Sequence, residues 1–458
     1  MIESFNQFAT TFADLAWGPW LLILLVGGGA VFLGYSAFTP FRYLGHAINL
    51  LRGKYDNPTD PGHITHSRAL SAALAGTIGM GNIAGVALAI SIGGPGAIFW
   101  MWVTAVLGMA TKFFTCSLAV MYRGKDSAGE LQGGPMYVIR EGLPKRFHFL
   151  AYWFALFGVV AALPALQSNQ LIQIFRDLVF IDNGWLDQAQ DPFAFNFLSG
   201  LVLATITATI IFGGLQRIAR VSGTVVPSMA ILYIGGALVA LLLNIEHVPD
   251  AFKLIFVDAF SGEAAASGSL LTVILYGVRR GAYSNEAGIG TESLAHGAAK
   301  TKEPIREGLV AMTGPIIDTL LVCTATALVI LVSGVWQTNA SEGVTLTAVA
   351  FTQLLGPIGT VIVFVCVLAF ATTTILTYSF YGAQCTSFLI GAHRKHFYYW
   401  AHIGFVVLAA IVPLNAAIGI IDGSFALMAI PTMISAFYLA PKVKQAAREY
   451  FNQLDEKL

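Results

Sequence analysis

Residues 75–85 read AGTIGMGNIAG, in the middle of an apolar segment long enough to cross a membrane. Glycine costs roughly 1 kcal/mol per interior helix site relative to alanine. Yet Gly76, Gly79, Gly81 and Gly85 crowd this stretch, beside the polar Thr77 and Asn82. Three readings are open. Gly81 and Gly85 form a GxxxG pair, which suits close helix packing. A glycine-rich nucleotide loop has similar letters but needs a preceding strand. The third is a helix that breaks inside the membrane, which hydrocarbon tolerates only where the freed backbone lines a cavity or holds a ligand.

The rest of the chain decides the setting. Of 458 residues, 56% are hydrophobic and 11% charged, and mean hydropathy is +0.72. A soluble domain carries about 25% charge. Apolar runs of about 20 residues recur to the C-terminus, so the chain reads as an all-α integral membrane protein embedded in a lipid bilayer. The net charge is zero, and nothing points to a nucleic-acid partner. Cys116, Cys323, Cys366 and Cys385 all lie in apolar runs, without a CxxC. They read as small core residues.

Eleven transmembrane helices are expected, at 17–39, 66–92, 97–121, 147–175, 193–213, 221–243, 266–297, 306–333, 357–391, 397–413 and 415–440. With the N-terminus outside, 20 of the 25 Lys and Arg fall on the inner side. Arg176 and Lys253 fall outside, and Lys112, Arg279 and Arg280 within spans. Positive charge stays inside, so the C-terminus is expected in the cytoplasm of a cell (inner or plasma) membrane protein. The outer loops are acidic, with Asp177, Asp182, Asp187 and Asp191 in one and Glu246, Asp250, Asp258 and Glu263 in another. These read as solvated loop charge.

A second interrupted segment, GVRRGAYSNEAGIG at 277–290, lies in a span of opposite direction. Each broken span is followed by a plain span, then a long connection (122–146 and 334–356), then three more spans. Residues 65–243 and 244–440 therefore read as two inverted five-helix repeats. Residues 1–64 add an extra helix and a cytoplasmic linker, and 441–458 a cytoplasmic tail. Paired broken segments in inverted halves are the best sequence pointer to a transporter binding site. Half-helix N-termini suit a carboxylate, and C-termini and free carbonyls suit a cation. An amino acid with a sodium ion fills such a site.

Several polar residues are candidates for it. Thr372, Thr373 and Thr374 offer hydroxyl oxygens, although membrane threonines also bond their own i−4 carbonyls. Asp318 is a carboxylate well inside an apolar span, a functional-site hypothesis by default. It could ligate a cation, carry a proton, or pair with Arg279, Arg280 or Lys112. Asn82 and Asn285 sit in the two breaks. Glu286, next to Asn285, is read as a partner of the nearby arginines rather than of a substrate ammonium. Gln167, Ser168 and Asn169 form a polar cluster. A membrane enzyme using Asp318 or Glu286 with His296 is a rival, but no HExxH or GxSxG motif supports it. A passive channel is another.

The segments GTIGMGNIAGVALAISIGGPGAIFWMWVTAVLGMATKF (76–113), LQGGPMYVI (131–139), RRGAYSNEAGIG (279–290), EGLVAMTGPIIDTLLVCTATALVIL (307–331) and AFATTTIL (369–376) resemble the alanine or glycine:cation symporter family, the sodium:alanine symporters. The likeness covers nearly the whole chain. It implies a leucine-transporter-like five-plus-five repeat with one extra N-terminal helix. It also implies sodium-coupled, or sometimes proton-coupled, uptake of a small neutral amino acid, with sodium as the only cofactor. By the same resemblance, substrate would meet Thr77, Gly79, Gly81, Asn82, Gln167, Tyr283, Ser284 and Asn285. The cation would meet Thr77, Ala369, Thr372 and Thr373, with Asp318 near a further cation or the substrate. Three positions depart from the family pattern. Thr377-Tyr378 stand where many members have Gly-Trp, Glu292 lies in GIGTESLAH in place of Ser-Ala-Pro, and Met80 replaces Thr. If Tyr378 lines the pocket, it bears on which side chain is accepted.

Overall fold

Glycine, proline and apolar length set where the helices of this chain start and stop. The computed structural model describes residues 2–181, 184–187, 191–261, 263, 269–338, 343–411 and 415–455. Asp182 of the outer acidic loop and Lys457 of the tail lie outside the described residues.

Among the described residues, eight helices are long and apolar enough to cross a membrane: Asn6–Tyr35, Ala97–Met121, Lys145–Ile181, Phe193–Ile211, Gly214–Leu243, Pro304–Ser333, Pro357–Ile390 and Ile418–Leu454. A bent pair, His66–Thr77 with Gly81–Gly93, makes a ninth crossing. The other two expected spans correspond to helices of 16 and 17 residues, Leu270–Asn285 and Lys395–Ile411. Each is short of the roughly 20 residues a crossing needs. Length and composition thus support nine crossings, where eleven were expected.

Several boundaries move for local reasons. Helix begins well before residue 17: Ile2–Ala16 packs along Asn415–Leu427. The chain then turns at Gly18, and Pro19 starts the next helix. The span expected at 147–175 is interrupted at 162–164, where Pro164 lacks the N–H that would continue the ladder. The last helix runs on to Asp455. Asp258 is not solvated loop charge. It is buried in helix Val248–Ser261, and its Oδ2 accepts the Gly96 N–H at 2.7 Å, at the start of Ala97–Met121.

Helix Ala97–Met121 stands at the centre, 83% buried, whereas Phe193–Ile211 is 28% buried. Small residues let the second broken helix lie close against the central one. A Cβ on Gly281 would sit 2.0 Å from Thr104 Oγ1, and one on Gly277 2.4 Å from the Ala97 carbonyl. Close backbone approach of this kind is how membrane helices gain packing energy.

One end of both broken helices is tied together. The Lys300 N–H donates to the Ile64 carbonyl at 2.6 Å, and the His63 N–H to the Ala298 carbonyl at 2.8 Å. Arg123 donates to the carbonyls of Gly297, Ala299 and Thr301. Glu307, fully buried, bridges His66 at the start of the first broken helix and His296 at the end of the second.

Candidate functional site

The first break forms because Ile78 leaves the helix for extended backbone, with φ −74° and ψ 95°. Helix resumes as a widened π turn over Gly81–Gly85, and the two halves meet at 55°. Asn82 stabilises the opening by accepting the Gly79 N–H on Oδ1 at 2.9 Å. The second break follows Asn285. Glu286 takes a left-handed conformation (φ +56°), Gly288 and Gly290 are also left-handed, and helix resumes at Thr291. Asn285 Oδ1 accepts the Ala287 N–H at 3.0 Å. Its Nδ2 is buried with no hydrogen-bond partner among the described residues.

Asp318 joins the two breaks from a neighbouring helix. It lies fully buried in a second π stretch, Ile316–Cys323. Such wide turns cluster at functional sites. Asp318 Oδ1 accepts from Asn82 Nδ2 of the first break. Its Oδ2 accepts from Ser284 Oγ of the second break and from Thr319 Oγ1, each at 2.9 Å. Three donors on one buried carboxylate satisfy it without a cation. Among the described residues, neither Arg279 nor Arg280 forms an ion pair with it. Arg279 pairs with Asp14 at 3.3 Å, and Arg280 has Asp422 as its main opposite charge. Lys112 is in none of the ion pairs of the described residues. It stands where its charge is felt by three buried carboxylates, Glu286, Glu292 and Asp318.

A cavity of about 10 Å³ lies between the breaks, roughly the room one water needs. Of the residues expected at a substrate site, Thr77, Gly79, Gly81, Gln167, Tyr283 and Tyr378 line it together. Thr77 Oγ1 has no hydrogen-bond partner among the described residues. Gln167, Tyr283 and Tyr378 also line an adjoining space that reaches Asp422 and Phe425. Asn82 and Ser284 stand one layer behind, in the Asp318 network. The polar cluster divides: Gln167 faces the cavity, while Asn169 donates to the Ala409 carbonyl at 3.3 Å.

The threonine run is arranged differently from its expected roles. Half-buried Thr372 lies on the side of exposed Leu368, and its hydroxyl donates to the Leu368 carbonyl at 2.7 Å. The structure does not bring it to the first broken helix. Thr373 bonds its own helix at the carbonyls of Ala369 and Phe370. Ala369 is half-buried. Thr374, named with its two neighbours but given no place at the cation, donates to the Ala75 carbonyl at 3.0 Å and lines the cavity. Helical spacing could have found it. Thr374 shares a face with Phe370, Thr377, Tyr378 and Tyr381, all buried.

Glu286 also differs from expectation. It pairs with neither arginine, accepting instead from Thr291 Oγ1 and, at 3.1 Å, from Tyr378 OH. His296 is bonded to Glu307 rather than to Glu286 or Asp318, so the acid–histidine pair of the enzyme reading is not assembled. Glu292 accepts from Thr115 Oγ1 at 3.2 Å, and Met80 is buried at the rim of the cavity.

A family model described as the sodium:alanine symporter family matches residues 2–458. An uncharacterized transporter of Haemophilus influenzae is 43% identical, over 96% of this chain and 94% of its own. The sodium/alanine symporter AgcS of Methanococcus maripaludis is 40% identical over 98% of each chain. The probable sodium/glutamine symporter GlnT of Bacillus subtilis is 33% identical, over 96% of this chain and 89% of its own. Among solved structures, that of MhsT in complex with L-phenylalanine is similar in fold. Its TM-score is 0.56 at 12% identity, covering 83% of this chain and 90% of that one.

Proposed function

The chain belongs to the sodium:alanine symporter family, and we propose that it couples uptake of a small neutral amino acid, of the alanine or glycine class, to sodium influx by alternating access. It is a transporter and not an enzyme. The observation that carries this reading is the meeting of two broken helices around one buried cavity, with Asp318 bonded to both. We read the chain as two inverted five-helix repeats, 65–243 and 244–440, with an extra N-terminal helix. That makes eleven spans, with the N-terminus outside.

In this reading the half-helix opening at Gly81 presents its positive end to the substrate carboxylate. Thr77, Gly79, Gly81, Gln167, Tyr283 and Tyr378 form the wall, and Asn82, Ser284 and Asn285 support it from behind. Sodium takes oxygens from the first break, with Thr77, Ala369 and Thr373 near it and Thr374 fixing the carbonyl end. Asp318 supplies the negative charge that makes ion and substrate favour the same state. Coupling needs that shared preference, because a ligand shifts an equilibrium only by its differential affinity. The rings of Tyr283 and Tyr378 in the cavity wall favour small side chains.

Uptake competition by alanine, glycine, glutamine and phenylalanine, in sodium and in choline medium, tests the substrate class. Alanine or glycine should compete best, and only in sodium. Glutamine competing better than both would assign the chain a larger substrate.

The ion site has its own test. Thr374→Val removes the hydroxyl that bonds the Ala75 carbonyl. The sodium concentration for half-maximal uptake should rise roughly tenfold, the equivalent of about one hydrogen bond. Thr372→Val should leave it unchanged. Equal sodium dependence in the two variants would remove Thr374 from the ion site.

A further inference from the structure

The cavity between the broken helices has one carboxylate in its wall, Glu286. Its position is unusual on three counts. Its backbone is left-handed at φ +56°, a conformation that is uncommon outside glycine. The same turn uses glycine at 288 and 290, so a glutamate here is retained at a conformational cost. Its side chain is buried, yet it makes no ion pair among the described residues. Arg279 is on Asp14, and Arg280 has Asp422. What holds Glu286 is a pair of neutral donors, Thr291 Oγ1 and Tyr378 OH.

Charge is also out of balance around it. Glu286, Glu292 and Asp318 are all buried, and Lys112 is the cation whose field reaches all three. A buried carboxylate without a cation is expensive, and the cost falls when a positive group arrives with hydrogen bonds to give. A primary ammonium brings one positive charge and three donors.

We propose that Glu286 is the anchor for the substrate's ammonium group. Tyr378 OH and the ammonium then compete for, or share, Oε1, so Tyr378 reports on occupancy as well as limiting side-chain size. The inference rests on the transporter reading and deepens it. The site accepts solutes with a free α-ammonium and rejects their hydroxy-acid counterparts, which have the same carboxylate and size but no positive charge.

The test is binding of radiolabelled alanine to the purified full-length protein in sodium, with unlabelled lactate as competitor. Wild type should bind alanine and prefer it strongly over lactate. Glu286→Gln keeps the size and an oxygen acceptor but loses the charge. Its alanine affinity should fall about 30-fold, as for a lost charge-assisted hydrogen bond, and its preference for alanine over lactate should shrink by the same factor. Tyr378→Phe removes the competing hydroxyl and should keep the preference. Glu286→Asp should keep it too, with weaker binding, and reads the same ratio if the Gln variant does not fold. Undiminished discrimination in Glu286→Gln overturns the inference, as does its loss in Glu286→Asp. If wild type binds no amino acid of the panel, it is the transporter reading that fails instead.

Discussion

Asp318→Asn is expected to lower sodium-driven uptake by at least about 100-fold, the scale of unpairing a buried charged group, in protein that still folds. The amide is nearly isosteric with the carboxylate, so the packing of Ile316–Cys323 survives. The hydrogen bonds do not. Asp318 accepts from Asn82, Ser284 and Thr319 at once, whereas an Asn amide must place its NH₂ where one of those donors points. If it faces Asn82, that side chain has to turn. Asn82 Oδ1 then gives up the Gly79 N–H that stabilises the first break. The substitution also removes the negative charge that a cation requires. Thr319→Val takes away one donor and keeps the charge, so its effect should be much smaller. Uptake and radiolabelled sodium binding, measured on variants with unchanged melting temperature, separate these outcomes. Wild-type transport by Asp318→Asn would exclude Asp318 from coupling.

Gly79→Ala is the second large effect, with an expected loss of about 50-fold, the upper part of the range for one unwanted methyl in a tight core. An added Cβ would lie 2.7 Å from Thr374 Oγ1. That oxygen is already bonded to the carbonyls of Ala75 and Phe370, and rotating it away breaks both contacts. The same stretch contains its own control. A Cβ on Gly85 meets nothing within 4 Å, so Gly85→Ala should transport like wild type. Equal activity of the two variants would show that the close approach at Gly79 has no role.

The breaks were legible because their cause is local. Clustered glycines, a polar residue among them and a second such cluster in an oppositely directed span are all visible in 75–85 and 277–290. The grouping of Thr77, Gln167 and Tyr283 was implied by the family resemblance rather than by the breaks themselves, and Tyr378 came into question only as a departure from the family pattern. What escaped depended on partners far away in the chain. Arg279 pairs with Asp14, and the carboxylate whose charge Arg280 feels is Asp422, so their closeness in sequence to Glu286 misled. Three consecutive threonines look alike in a sequence, but one helix turn sends Thr372 toward the side of Leu368 and Thr374 toward Ala75. Asp258 looked like loop charge because nothing near it in sequence reveals the Gly96 N–H that it binds.

In the symport proposed here, occupancy of the site by sodium and by an amino acid is one linked event. The direct measurement is uptake of labelled alanine into liposomes containing the purified protein, with an inward sodium gradient as the sole driving force. Symport predicts that internal alanine overshoots the external concentration and that collapsing the gradient abolishes the overshoot. Uptake that stops at equal concentrations on the two sides under an intact sodium gradient would contradict it.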